Sequence, residues 1–134
     1  MFSIDAMSRT PVYEQIENQL EKFILSEIIK EGEQIPSIRE MSLELLVNPN
    51  TVTKAYSELD TKGIIKSVPG KGYFVCSDAC ATLKNAVRSN IEKLRCEVHD
   101  MALAGITKSE LYDIIDSVFG DMQTKGEVKG DSLQ

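Results

Sequence analysis

The sequence predicts a mostly α-helical chain with a small β hairpin, divided into a helix-turn-helix part and a two-helix part. Three observations carry that prediction. Ser37 followed three residues later by Glu40 is a capping box, so a helix starts there. Asn48-Pro49 pairs a good N-cap with proline at the first helical position, where its missing N–H is not needed, and starts another helix. Pro69-Gly70-Lys71-Gly72 separates two short β-branched and aromatic segments, Ile64–Val68 and Tyr73–Val75, as a hairpin turn does.

In chain order, residues 1–9 read as a short arm. Pro11 then begins a helix with Thr10 as its cap, and Ile16, Leu20, Phe23, Ile24 and Ile28 form its apolar stripe. Glu14, Glu17, Glu21 and Lys22 are expected to face water, and Gly32 to close the helix. Glu33–Pro36 runs extended, as a short strand beside the hairpin, because residues before proline disfavour the α region. The helix opened by Ser37 buries Ile38, Met41 and Leu45 and stops near Leu46. The helix opened by Asn48 buries Val52, Tyr56 and Leu59, and Gly63 ends it as a C-terminal cap does. Two short helices joined by a turn of about four residues have the dimensions of a helix-turn-helix. With the hairpin as its wing, the whole is an N-terminal winged helix-turn-helix spanning 10–77.

The pattern changes after the wing. Ala79–Ala104 contains no proline or glycine and reads as one long helix. Along it Val87, Ile91, Leu94, Val98 and Met101 step by four, three, four and three, a seam at coiled-coil spacing that Cys80 and Leu83 widen near its start. Gly105 breaks the run, and Thr107 with Glu110 forms a second capping box. The following helix carries Leu111, Ile114, Ile115, Val118, Phe119 and Met122. Residues 78–122 are therefore expected to form a two-helix antiparallel module, apolar over more surface than a lone hairpin covers. Pairing with a second copy covers it, so a homodimer is expected through Val87, Ile91, Leu94, Val98, Met101, Leu111, Ile115, Val118 and Phe119. The polar stretch 123–134, with two glycines, is expected to be a disordered tail.

Composition narrows the function classes. At 134 residues and 42% hydrophobic the chain suits one domain or two small modules of ordinary globular make-up. No apolar run approaches the roughly 20 residues of a membrane span, and MFSIDAMSRT has no signal-peptide core, so a cytoplasmic protein is expected. Three cysteines, Cys76, Cys80 and Cys96, do not make a disulfide framework in such a chain. The net charge of −6 speaks against bulk attraction to nucleic acid, yet between Asn48 and Gly72 the bases Lys54, Lys62, Lys66 and Lys71 outnumber Glu58 and Asp60. An acidic body with a weakly basic edge suppresses non-specific DNA binding and orients approach; plain solubility explains the acidity equally well.

The N-terminal turns of the second motif helix hold Asn48, Asn50, Thr51, Thr53 and Lys54. In a helix-turn-helix these residues meet base edges in the major groove. Asparagine bonds adenine in a bidentate manner, threonine offers a hydroxyl and a methyl for thymine, and lysine reaches guanine or phosphate. Capping alone explains Asn48, whereas helix geometry asks for neither Asn50 nor Thr53. Ser37 is chiefly a cap whose helix N-terminus also suits a phosphate. Cys96 and His99, three apart on the long helix, are weak metal candidates, with one histidine and no CxxC pair beside them. No catalytic constellation and no phosphate loop is present, and Asp113 and Asp116 read as solvated charges. No cofactor and no enzymatic activity are expected.

Pro11-Val12-Tyr13-Glu14-Gln15-Ile16, Ile35-Pro36-Ser37-Ile38-Arg39-Glu40 and Gly70-Lys71-Gly72-Tyr73-Phe74-Val75 together resemble the DNA-binding domain of the GntR family of bacterial transcription regulators. Val47–Tyr56, with its Asn48-Pro49-Asn50 run, and the short remainder after the wing resemble the YtrA subfamily. The resemblance implies that Arg39 contacts DNA, against the alternative of a surface salt bridge with Glu40 or Glu44. It also implies that Gly70, Lys71 and Gly72 bring the wing tip to the minor groove or its phosphates. Tyr73 packs on sugar-phosphate or fills the hairpin. Many GntR proteins have arginines where this chain has Pro49 and Thr53, so base preference does not carry over. The function expected is a sequence-specific DNA-binding regulator, a repressor by analogy, acting as a homodimer on double-stranded palindromic operator DNA, with any small-molecule effector left open. The alternatives are a metal- or redox-responsive regulator using Cys96 and His99, and a winged-helix protein-interaction module.

Overall fold

A computed structural model describes residues 1–124. The elements are α1 (Val12–Leu25), α2 (Ile38–Leu45), α3 (Pro49–Thr61), β1 (Ile65–Val68), β2 (Gly72–Val75), α4 (Ala79–Arg88), α5 (Ile91–Leu103) and α6 (Lys108–Thr124). The chain divides into two compact units, Met1–Val87 and the remainder from Arg88. No helix among the described residues is long and apolar enough to cross a membrane.

The first unit is a winged helix. α1 lays Ile16, Leu20 and Ile24 against α3, whose Val52, Ala55, Tyr56 and Leu59 are all fully buried. Met41 and Leu45 close the core from α2, and Ile64, Ile65 and Val75 close it from the wing. β1 and β2 pair antiparallel with Ile65 opposite Val75 and Val68 opposite Gly72. The extended segment before α2 adds a third edge, as expected: Gln34 bridges Phe74, and the Ile35 amide donates to the Tyr73 carbonyl at 3.0 Å.

Several boundaries differ from the sequence reading. Pro11, not Thr10, occupies the N-cap position of α1, in extended geometry and without a side-chain cap. Proline fixes φ near the helical value but cannot offer a capping oxygen, so the first turn starts one residue later. α1 ends at Leu25 rather than running to Gly32. The Ser26 hydroxyl donates back to the Lys22 carbonyl at 2.8 Å, and Glu27 turns to φ +62°. The amides of Ile28 and Ile29 then both reach the Phe23 carbonyl. This turn leaves Ile28 exposed and buries Ile29 in its place. Gly32, at φ +86°, instead serves the sheet, donating to the Val75 carbonyl at 2.9 Å.

The N-terminal arm is pinned. Phe2 is buried against Phe23, its amide donates to Glu44 Oε2 at 3.1 Å, and the Gln15 and Gln19 side chains bind the arm backbone. Glu17, expected to face water, is only 6% exposed and paired with Lys62 Nζ at 3.1 Å. Glu21 receives the same ammonium at 3.2 Å. Burial raises the Glu17 carboxyl above its ordinary range, with the Lys62 bond only partly offsetting it. For Lys62 burial acts downward, but the bond to Glu17 and the charge of Glu21 outweigh it and hold the ammonium up.

The expected long helix over Ala79–Ala104 is two helices. α4 stops at Arg88, and α5 resumes at Ile91 after Ser89 and Asn90. Both have short polar side chains that compete for backbone hydrogen bonds and favour turns, and the Asn90 backbone sits at φ −82°, ψ −3°. α4 packs Ala79 and Leu83 into the core of the first unit. Glu31 Oε2 accepts from the Cys80 amide at 3.0 Å and satisfies one of the free N–H groups at the start of α4. The second unit has no buried residue on α5, where Leu94 is 58% exposed. Ile114, Ile115, Val118 and Phe119 of α6 are likewise exposed. Thr107 and Glu110 form the capping box read from the sequence, at 2.8 and 3.2 Å. The Thr107 amide, and after it the Thr107 hydroxyl at 3.0 Å, donate to Glu110 Oε2 and hold the Glu110 carboxyl below its ordinary value. α6 runs through Thr124, so it takes in the first two residues of the expected tail; the rest of that tail, 125–134, lies outside the described residues.

Candidate nucleic-acid interface

The ends of α2 and α3 are built by short-range chemistry. The Ser37 amide donates to Glu40 Oε1 at 2.8 Å, and the Glu40 amide returns a bond to Ser37 Oγ at 3.0 Å. α2 ends at Leu46, which adopts the left-handed region at φ 57°, ψ 47° with its side chain 89% exposed. A bond absent from the sequence reading fixes the turn: the nearly buried Ser42 hydroxyl donates to the Val47 carbonyl at 2.7 Å. Asn48 Oδ1 then accepts from the Asn50 amide at 2.7 Å, with Pro49 at the first helical position. Capping uses the Asn48 oxygen and leaves its NH2 group to donate outward.

The candidate residues of α2 and α3 differ in how committed they are. The Asn50 carboxamide is exposed and makes no hydrogen bond among the described residues. Thr51 is half-buried. Thr53 is exposed, and its hydroxyl donates to the Pro49 carbonyl at 3.0 Å. Lys54 holds its ammonium 4.2 Å from the centre of the Tyr13 ring. Arg39 is exposed and has no ion pair among the described residues. The two acids nearest in sequence are engaged elsewhere, Glu40 in the capping box and Glu44 on the Phe2 amide. The salt bridge weighed for Arg39 is therefore not formed.

The wing tip is set by its glycines. Gly70 and Gly72 have φ of +77° and +123°, in the left-handed half that L side chains disfavour. At Gly72 space adds a second constraint: a Cβ there would meet Gln34 Nε2 at 2.8 Å. That same nitrogen donates to the Lys71 carbonyl at 2.7 Å, so Gln34 pins the turn while the lysine side chain stays exposed. Tyr73 is half-buried and stacks edge-on against Tyr56, ring centres 5.0 Å apart, which places its ring in the body of the domain. Tyr56 in turn donates its hydroxyl to the Pro36 carbonyl at 2.6 Å, tying α3 to the entrance of α2. Burial, with the charges of Tyr73, Glu40 and Glu44 adding to it, pushes the Tyr56 phenol far up, so it remains a donor.

Of the lysines on the basic edge expected from the sequence, Lys62 is withdrawn to Glu17 and Glu21. Lys66 and Lys71 stay exposed without an ion pair among the described residues. Cys96 and His99 lie on α5 beside Arg95 and Asp100 around an open concavity of about 290 Å³. No group of three or more His, Cys, Asp or Glu side chains among the described residues is arranged to hold a metal.

Comparison with known proteins agrees with this geometry. Residues 12–75 match the family model described as bacterial regulatory proteins, gntR family. The chain is 38% identical over 132 residues to the HTH-type transcriptional repressor YtrA of Bacillus subtilis (strain 168), covering 98% of this chain and 100% of that protein. Among solved structures, a transcriptional antiterminator from Listeria monocytogenes EGD-e superposes with a TM-score of 0.74 at 35% identity, over 91% of this chain and 92% of its own. The DNA-binding domain of AraR in complex with operator ORX1 superposes with a TM-score of 0.52 at 26% identity, over 57% of this chain and 96% of its own. A winged helix with a capped, outward-facing α3, matched along almost its whole length by such a relative, is a DNA-binding transcription regulator, and the chain belongs to the GntR family, in its YtrA-like branch.

Proposed function

We propose that this regulator is a repressor that binds a palindromic operator as a homodimer. The observation that carries the DNA contact is the uncommitted chemistry along α2 and the first turns of α3. Among the described residues the Asn50 carboxamide, the Asn48 NH2 and the Arg39 guanidinium have no partner, and the N-termini of α2 and α3 are both capped. In this reading Asn50, with Thr51 and the methyl of Thr53, addresses base edges in the major groove. Arg39 and the N-terminus at Ser37 hold phosphates, as do Lys54 and the Gly70-Lys71-Gly72 wing tip. Tyr73 supports the wing through Tyr56.

The dimer rests on the apolar surface of α5 and α6. Neither helix covers Ile91, Leu94, Met101, Ile115, Val118 or Phe119, all exposed in one copy. Exposed apolar surface of this extent marks an interface, and a second copy supplies an identical surface related by a two-fold axis. The name of the Bacillus subtilis relative supports the sign of regulation.

Sedimentation of the protein with a selected operator duplex tests the assembly. Two chains per duplex are expected, and one chain per duplex would overturn the dimer. Loss of the protein should raise transcription from a promoter carrying that operator; lower transcription would overturn repression.

A further inference from the structure

A contact between Tyr13 and Lys54 joins α1 to α3. Tyr13 belongs to α1, outside the helix-turn-helix, and its half-buried ring packs on the core. Lys54 lies on the exposed side of α3, one turn beyond Asn50. Its ammonium sits 4.2 Å from the Tyr13 ring centre and makes no ion pair among the described residues. A free lysine samples many rotamers and must be ordered when it grips DNA. One already held over a ring face loses less, while keeping its full charge.

We infer that Tyr13 is a positioning residue for operator binding: its ring holds Lys54 at the rim of α3, where the ammonium meets a backbone phosphate rather than a base edge. The inference rests on the DNA-binding reading above and adds α1 to the interface. Lys54 contributes equally to operator and non-operator DNA, and Tyr13 acts only through it. The geometry favours phosphate because an ammonium drawn back over α1 is held at the edge of the recognition helix, and phosphates line the groove rim.

The test is a double-mutant cycle with Tyr13→Leu and Lys54→Met, measuring affinity for operator and for unrelated duplex across a salt series. Lys54→Met should weaken both DNAs by a similar factor and reduce the salt slope by about 0.9, the signature of one lost phosphate contact. Tyr13→Leu should weaken binding about two- to five-fold with the salt slope unchanged, and Tyr13→Phe, which keeps the ring, should bind as the parent does. In the Lys54→Met background Tyr13→Leu should cost nothing more. Equal losses from Tyr13→Leu in both backgrounds would overturn the inference, as would a Lys54→Met loss confined to operator DNA. Tyr13→Leu touches the core, so the ring-current shift of the Lys54 methylene protons in the parent protein provides a second measurement. The shift should persist in free and operator-bound protein, and its absence from either would also overturn the inference. If the parent protein binds no DNA, the failure belongs to the DNA-binding reading; if it binds and the cycle is additive, it belongs to Tyr13 alone.

Discussion

Replacing Leu46 with glycine should stabilise the protein, although leucine-to-glycine changes are usually damaging. Leu46 ends α2 at φ 57°, ψ 47°, and its side chain is 89% exposed, so truncation removes almost no packing. A side chain in the left-handed region clashes with the following carbonyl at a cost of about 1–2 kcal/mol. Glycine avoids that cost but gives the unfolded chain more freedom, a penalty of about 0.5–1 kcal/mol. The difference is a net gain of about 0.5–1 kcal/mol. For a domain of this size that corresponds to a rise in Tm of roughly 2–8 °C. Thermal unfolding at fixed protein concentration measures it, since a dimer's Tm depends on concentration. Operator affinity should not change, because glycine keeps the turn that presents Asn48. An unchanged or lower Tm would refute the strain argument, and a several-fold loss of affinity would mean that the leucine side chain itself meets DNA.

Arg39→Ala and Asn50→Ala should each cost about 1–3 kcal/mol in operator binding and leave Tm alone, since neither side chain has an internal partner among the described residues; wild-type binding isotherms for both would remove these residues from the interface. Val98→Asp puts a charge into the apolar surface of α5 and should yield a monomer by sedimentation with weakened operator binding; a persisting dimer would place the interface elsewhere. Glu17→Gln probes the buried carboxylate. The carboxyl is raised in the folded state, so Glu17 favours folding most at low pH and loses that contribution as pH rises through its folded value, above the ordinary 4.5. The variant should therefore gain on the parent in urea unfolding as pH rises from below 4.5 through the raised folded value. A gap that widens in the parent's favour would show that the Lys62 pair dominates.

Local chemistry made much of the fold legible in the sequence. The capping box at Ser37, the Asn48-Pro49 start and the Gly70-Lys71-Gly72 turn each depend on residues within four positions of one another, and the structure forms all three. Apolar periodicity placed Val52, Tyr56 and Leu59 correctly because only one face of α3 meets the core. The misreadings came where distant residues decide. Glu17 follows the polar pattern of α1, and only the arrival of Lys62, 45 positions on, turns it inward. The arm looks featureless until Phe2 meets Phe23 and Glu44. The Tyr13–Lys54 contact likewise joins residues 41 apart (54 minus 13), and no spacing rule reaches across that distance. The break at Ser89–Asn90 had a local signal, two residues that favour turns, but the continuous seam through Val87 and Ile91 masked it.

Selection of bound sites from a random DNA pool at about 150 mM salt tests the central claim most directly, because at that salt non-specific contacts are weakened. A dimeric repressor predicts enrichment of a palindrome whose half-sites lie about one helical turn apart. Enrichment of a lone, asymmetric half-site would contradict the dimer, and no enrichment at all would contradict the operator.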